Sequence, residues 1–195
     1  MFADAADRGL TGPAAEAAVD ATGFDSRYAS RHYVSRAGYK RFTRLRWPKL
    51  TVVCLTQSHL LAGAVPTRGP SQDSPQMPAA VRQAVRLTPI GRLLGDAGYD
   101  AEHNHALCRE RLGIPHTVFA LNRRNSGRKW PLAPYRRSMK RAFPRAVYNQ
   151  RWQVESAFSR HKRRLGSFLR SRSGPAQRQE CLLRVLTHNL MLLAA

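Results

Sequence analysis

Residues 148–165, YNQRWQVESAFSRHKRRL, read as one helix of about five turns. Pro144 ends what precedes it, and Gly166 stands where a helix takes a left-handed C-terminal cap. At about 100° per residue, Tyr148, Arg151, Glu155 and Lys162 fall within roughly 60° of one another. Val154, Phe158 and Leu165 form an adjoining apolar stripe suited to packing on a core. One carboxylate thus stands among a tyrosine, an arginine and a lysine on a single ridge beside the buried face. Glu155 is the sole acidic residue between Glu110 and Glu180, in a stretch crowded with Arg and Lys. An ordinary amphipathic surface helix would scatter its charges, so a lone carboxylate at this spacing points to a site.

The chain as a whole is strongly cationic. Its 195 residues hold 33 Lys+Arg against 12 Asp+Glu, a formal charge of +21. That exceeds what solubility needs and points to a polyanion, nucleic acid before an anionic membrane surface. Arg outnumbers Lys, which suits forked contacts to phosphate oxygens, although GC-rich codons also favour Arg. The length fits one domain with a sizeable core, or one domain with a short extension. Cys54, Cys108 and Cys181 are far apart and odd in number, which argues against a disulfide framework and fits a reducing cytoplasm. No long apolar run suggests a membrane span, and the N-terminus lacks a basic-then-apolar signal pattern.

In chain order, residues 1–13 read as a helix end or a linker. Residues 15–24, AEAAVDATGF, read as a first strand carrying Asp20. The segment from Ser26 to Trp47 is rich in Arg, Lys and Tyr, and reads as an exposed arm for a DNA backbone. Lys49–Leu55 and Leu60–Thr67 read as an antiparallel hairpin turning at Gln57-Ser58-His59. A polar Pro-rich loop, a helix over 79–87 and a short strand over 90–95 follow, ending at Asp96. Asp100 is expected to cap a helix running from Ala101 to about Arg111. Residues 116–121 give another strand, and 122–145 read as irregular, basic and DNA-facing. A terminal helix to Leu193, starting near Ser173, reads as a core helix.

The spacing Tyr148-x2-Arg151-x3-Glu155-x6-Lys162 resembles the Y-(2)-R-(3)-E-(6)-K signature of bacterial insertion-sequence transposases, the IS4/IS5-like DDE group. AVDATG around Asp20 and GDAGYD around Asp96 resemble the first- and second-aspartate segments of that family. The resemblance runs from about Glu16 to the C-terminus. It implies an α/β fold, an RNase H-like mixed sheet flanked by helices, and the element order agrees. It implies that Asp20, Asp96 and Glu155 are catalytic carboxylates and metal ligands, and that Tyr148, Arg151 and Lys162 contact DNA. Asp25 rivals Asp20 but lies past the Gly23 break; Asp100 rivals Asp96 but has the helix to cap.

Three carboxylates have a chemical reason here. Cutting a phosphodiester needs an activated oxygen nucleophile and neutralised charge on the leaving oxygen, and two divalent ions held by hard carboxylate oxygens do both. Mg²⁺ is therefore the expected cofactor, with Mn²⁺ substituting. The resemblance further implies double-stranded DNA as partner, both element ends and target, a homodimer assembled on that DNA, and a cytoplasmic, nucleoid-associated protein. Residues 15–195 are expected to be the catalytic domain, and 1–14 a linker or the remnant of an N-terminal DNA-reading region. Two alternatives stay open: a non-mobile DNA-binding remnant, and a host nuclease of the same fold. Other chemistries are weakly supported. His103-x-His105-x2-Cys108 lacks a fourth zinc ligand and splits its histidines across a helix. No glycine-rich phosphate loop points to ATP. Trp130 and Trp152 read as packed aromatics, with base stacking the rarer alternative.

Overall fold

The computed structural model describes residues 1–26, 47–122 and 130–195. Its elements in chain order are α1 (Phe2–Asp7), β1 (Ala15–Gly23), β2 (Asp25–Ser26), β3 (Trp47–Leu55), β4 (Leu61–Gly69), α2 (Met77–Leu87) and β5 (Ile90–Gly95). Then come α3 (Glu102–Ala106), continued by a π turn over Leu107–Arg111, and β6 (His116–Phe119). The C-terminal part holds α4 (Pro134–Arg141), α5 (Arg145–Tyr148), α6 (Trp152–Leu165), β7 (Phe168–Leu169) and α7 (Gly174–Leu193). The arm expected between Ser26 and Trp47, and residues 123–129 of the basic stretch, lie outside the described residues.

Five strands form one mixed sheet in the order β4-β3-β1-β5-β6. β3 and β4 make the expected antiparallel hairpin, and β1 pairs antiparallel with β3. β5 joins β1 in parallel and β6 joins β5 in parallel. This is the mixed RNase H-like sheet, with helices on both faces. Side chains alternate between two apolar clusters as the pleat requires. Ala17, Val19, Val53, Leu55 and Leu93 face α2, whose Met77, Ala80, Val81 and Ala84 follow the i, i+3, i+4, i+7 pattern of one helix face. Ala18, Val52, Cys54 and Leu94 face α6 and α7 through Val154, Ala157, Phe158, Cys181 and Val185. β1 is therefore covered on both sides, and its run of small Ala residues lets both layers close on it.

The edge strand β4 is closed by side chains rather than by another strand. Asn189 Oδ1 accepts from Leu61 N–H and its Nδ2 donates to Leu61 O, while Gln83 Oε1 accepts from Ala64 N–H. These bonds satisfy backbone groups that would otherwise invite pairing with another chain. α1 packs against the same layer as α2, with Ala5 fully buried and the Arg8 guanidinium donating to Leu193 O.

Several local expectations need correction. The helix over 148–165 is interrupted: Asn149–Arg151 form a 3₁₀ turn between α5 and α6, although the backbone stays right-handed helical through it. Gly166 does close α6 with positive φ, its N–H donating to Lys162 O. The basic stretch is not irregular throughout, because 134–141 and 145–148 are helical. Asp100 is not the cap of α3; Ala101 occupies that position, and the Asp100 carboxylate is buried elsewhere. α7 is only half a core helix. It buries Cys181, Val185, His188, Asn189 and Leu193 but leaves Leu182, Leu183, Leu186 and Leu190 exposed.

Contact between α2 and the sheet depends on Gly63. A Cβ there would run into the Ala80 carbonyl oxygen, a backbone atom with no room to yield. Gly63→Ala is expected to destabilise the fold by about 1–3 kcal/mol through overpacking. Gly12→Ala, where an added Cβ meets nothing, should leave thermal unfolding nearly unchanged.

Candidate active site

Strand register brings the two aspartates together. Val19 pairs with Gly95 across the parallel β1–β5 ladder, so Asp20 and Asp96 follow side by side, on strands about 5 Å apart. With period two, Asp20 shares the face of Ala18, and Asp96 that of Leu94, the face that α6 covers. Val154, Ala157 and Phe158 hold α6 on that face, and Glu155 sits in its first turn next to this buried row.

Arg151 lies between two of the carboxylates. Its Nη1 is 3.3 Å from Asp20 Oδ2, and its Nη2 donates to Glu155 Oε1. Asp20 Oδ1 accepts from the Ala21 N–H at 2.8 Å. Asp96 Oδ1 accepts from the Gly98 N–H at 2.8 Å and thereby caps the short 3₁₀ turn Ala97–Tyr99. Gly98 suits that turn, since a Cβ would stand 3.0 Å from the Asp96 carboxylate.

The electrostatics are those of crowded, partly buried carboxylates. Burial pushes the Asp20 carboxyl up to about 6; the Ala21 N–H and Arg151 pull it down, and Asp96 and Glu155 push it further up. Tyr148 is raised mainly by burial and feels Arg151, Asp96 and Asp20. Tyr99, which the sequence reading gave no role, is fully buried below the aspartates. Burial raises its phenol, as do Asp73, Asp20 and Asp96, and its hydroxyl has no partner among the described residues.

Of the six residues singled out from the sequence, five converge: Asp20, Asp96 and Glu155 with Tyr148 and Arg151. Lys162 stands apart. It lies seven residues beyond Glu155, about 10 Å along the helix, with its ammonium 5.5 Å from the Phe24 ring centre. Burial lowers its pKa and Asp25 opposes that shift. Trp130 and Trp152 are not packed aromatics, each being about half exposed.

A hard divalent cation suits the oxygen donor set, and Asp20 has the unmet demand for positive charge that its raised pKa expresses. As the side chains stand, no three of the described His, Cys, Asp or Glu form a ready ion cage. Arg151 bridges Asp20 and Glu155, and Asp96 Oδ1 is turned to Gly98, so those oxygens must be released before they can ligate one ion.

The sequence matches the family model described as Transposase DDE domain over residues 12–190. The chain belongs to this family. No curated protein matches the sequence. Among solved structures, the cryo-EM structure of the simian T-cell lymphotropic virus intasome in complex with PP2A regulatory subunit B56 gamma contains a similar chain. It is 14% identical, with a TM-score of 0.37 over 73% of this chain and 49% of that one. The present chain thus spans about half the length of the solved chain it matches. Within this domain Asp20 and Asp96 stand at adjacent strand ends and Glu155 on a later helix. No helix among the described residues is long and apolar enough to cross a membrane.

The Asp20 carboxyl has a folded-state pKa above its ordinary 3.8, so its ionisation opposes folding. That penalty is absent below about pH 4, grows as pH rises through about 6, and is complete above it. Asp20→Asn is therefore expected to stabilise the protein at pH 8 by about 1–3 kcal/mol, with no gain at pH 4. Burial pushes buried His161 down to about 4, and this costs stability in acid. That loss is common to both proteins, so thermal melts of the pair at the two pH values isolate the aspartate.

Proposed function

We propose that this chain is the catalytic domain of an IS4/IS5-like insertion-sequence transposase, cutting DNA strands at element ends and joining them to a target. Residues 15–195 form that domain in this reading; residues 1–14, read from the sequence as a linker, instead carry α1, which packs on the same core. The observation that carries the reading is the meeting of Asp20, Asp96 and Glu155 on one face of the sheet in a chain of charge +21.

Asp20, Asp96 and Glu155 would hold Mg²⁺, or Mn²⁺ in its place. When bound, a pair of such ions activates the attacking oxygen and neutralises charge on the leaving oxygen. The remaining work falls to the protein. The parallel β1–β5 ladder fixes the two aspartates relative to each other. α6 sets Glu155 against them, and its packed stripe of Val154, Ala157 and Phe158 keeps it there. Arg151 neutralises the crowded carboxylates and, once turned outward, offers its fork to a phosphate. Tyr148, next to Arg151 and Asp96, offers a hydroxyl to the same strand. Lys162, two turns along the ridge beside Asp25, is suited to a phosphate further along the duplex. The DNA is double-stranded and engaged by a homodimer, in the cytoplasm and at the nucleoid.

Nicking of supercoiled plasmid tests this reading. Wild-type protein with Mg²⁺ or Mn²⁺ is expected to nick, and Asp20→Ala, Asp96→Ala and Glu155→Ala are each expected to lower the rate at least 100-fold at equal DNA affinity. Nicking that survives Glu155→Ala would sink the triad. Salt-dependent binding without nicking in any of the four proteins would favour a DNA-binding remnant, a reading that the pairing of Arg151 with both Asp20 and Glu155 also suits.

A further inference from the structure

Asp100, Glu102 and Glu110 converge on one short helix that the sequence did not reveal. The Asp100 side chain is fully buried, and Arg136 of α4 grips it with two bonds, Nε to Oδ1 at 3.1 Å and Nη2 to Oδ2 at 3.0 Å. The Asn122 N–H donates to Oδ2 at 2.8 Å, and His105 Nε2 lies 3.7 Å from Oδ1. His105 is itself fixed by Thr117 at 2.6 Å. Burial acts to raise the Asp100 carboxyl, but His105, Arg136 and Asn122 outweigh it and hold it ionised below its ordinary range. Glu102 receives the backbone N–H groups of Tyr135 and Arg136, at 2.9 and 3.0 Å. A carboxylate from α3 thus satisfies the open first turn of α4. The Tyr135 hydroxyl donates to Glu110 at 2.9 Å, and Arg109 stacks over its ring.

This anchoring is costly in a chain with only 12 acidic residues, and apolar burial alone does not account for the helix. No residue of α4 is fully buried. Tyr135, Arg136 and Met139 turn inward at helical spacing, while Arg137 and Arg141 turn outward, one turn apart and exposed. Neither outward arginine belongs to an ion pair among the described residues. α4 leads directly through Pro144 into α5 and thus to Tyr148 and Arg151. A helix held by three buried or bridging carboxylates, with free guanidinium groups on its far side, is preorganised for a polyanion beside the active site.

We propose that Arg137 and Arg141 of α4 are a phosphate-contact surface for duplex DNA, and that Asp100 and Glu102 are positioning residues that set this helix in register with the active site. This rests on the reading of the chain as a DNA-acting enzyme. The test is binding of the full chain to a labelled 30-base-pair duplex in EDTA, where cleavage does not intervene, as a function of salt. Arg137→Gln/Arg141→Gln is expected to lower the slope of log affinity against log salt by about 2, and to weaken binding on the order of 50-fold at 0.1 M salt. The matched pair Arg82→Gln/Arg86→Gln, exposed on α2 over the opposite sheet face, removes the same charge and should change the slope far less.

Asp100→Asn should weaken binding in the wild-type background but add little to Arg137→Gln/Arg141→Gln, because both act on the same contacts. Glu102→Gln takes its place if Asp100→Asn does not fold. Equal slopes for the two arginine pairs would overturn the phosphate surface, and additive effects of the positioning variants would overturn the registry. Absence of salt-dependent binding by the wild type would instead defeat the DNA-acting reading itself.

Discussion

The parallel pairing of β1 with β5 is the constraint on which the rest depends. It places two aspartates next to each other on a strand pair buried on both faces, where a carboxylate is expensive to ionise. Positive charge brought to the same spot offsets part of that cost. Arg151 arrives from the turn before α6, and that turn is set by packing of Val154, Ala157 and Phe158 on the sheet. Core packing and site electrostatics are thus one problem. Whatever holds α6 down also holds the guanidinium where the aspartates need it.

A second constraint is the scarcity of negative charge. With 33 basic and 12 acidic residues, each carboxylate is a local choice about which cation is neutralised and which is left open. Lys49 is tied to Asp73, Arg92 to Glu16, and Arg184 to Glu180, where Glu180 also receives the N–H groups of Arg170 and Ser171. These pairs stitch strands and the chain after α6 to their neighbours. Three further carboxylates hold α4. Among the described residues, Arg137 and Arg141 are left on an exposed helix face, which is where a polyanion would meet them.

The fold was largely legible in the sequence because its strands are β-branched or Ala-rich apolar runs bounded by turn residues. The Gly166 stop and the Ser173 start were legible for the same local reason. α4 was not, since PYRRSMKR has no apolar stripe of its own and is held by partners 25 to 36 residues away in sequence. Asp100 was misread as a cap because its spacing to the helix is right, while the competing Arg136 lies far along the chain. α7 was read as wholly buried because leucine content does not say how much of a helix another layer will cover.

The sequence by itself determined the order of elements, the strongly positive charge and the candidate carboxylates, since each is written in local periodicity, composition or short spacing. Tertiary structure decided which of those residues meet. Helical spacing put Lys162 on the ridge with Tyr148, Arg151 and Glu155. Two turns along α6 it stands beside Asp25 and Phe24, while Arg151 is delivered to Asp20, 131 residues away. Angular position on a helix is a local property. Distance from a carboxylate on another strand depends on how two layers pack, and only the folded chain sets that.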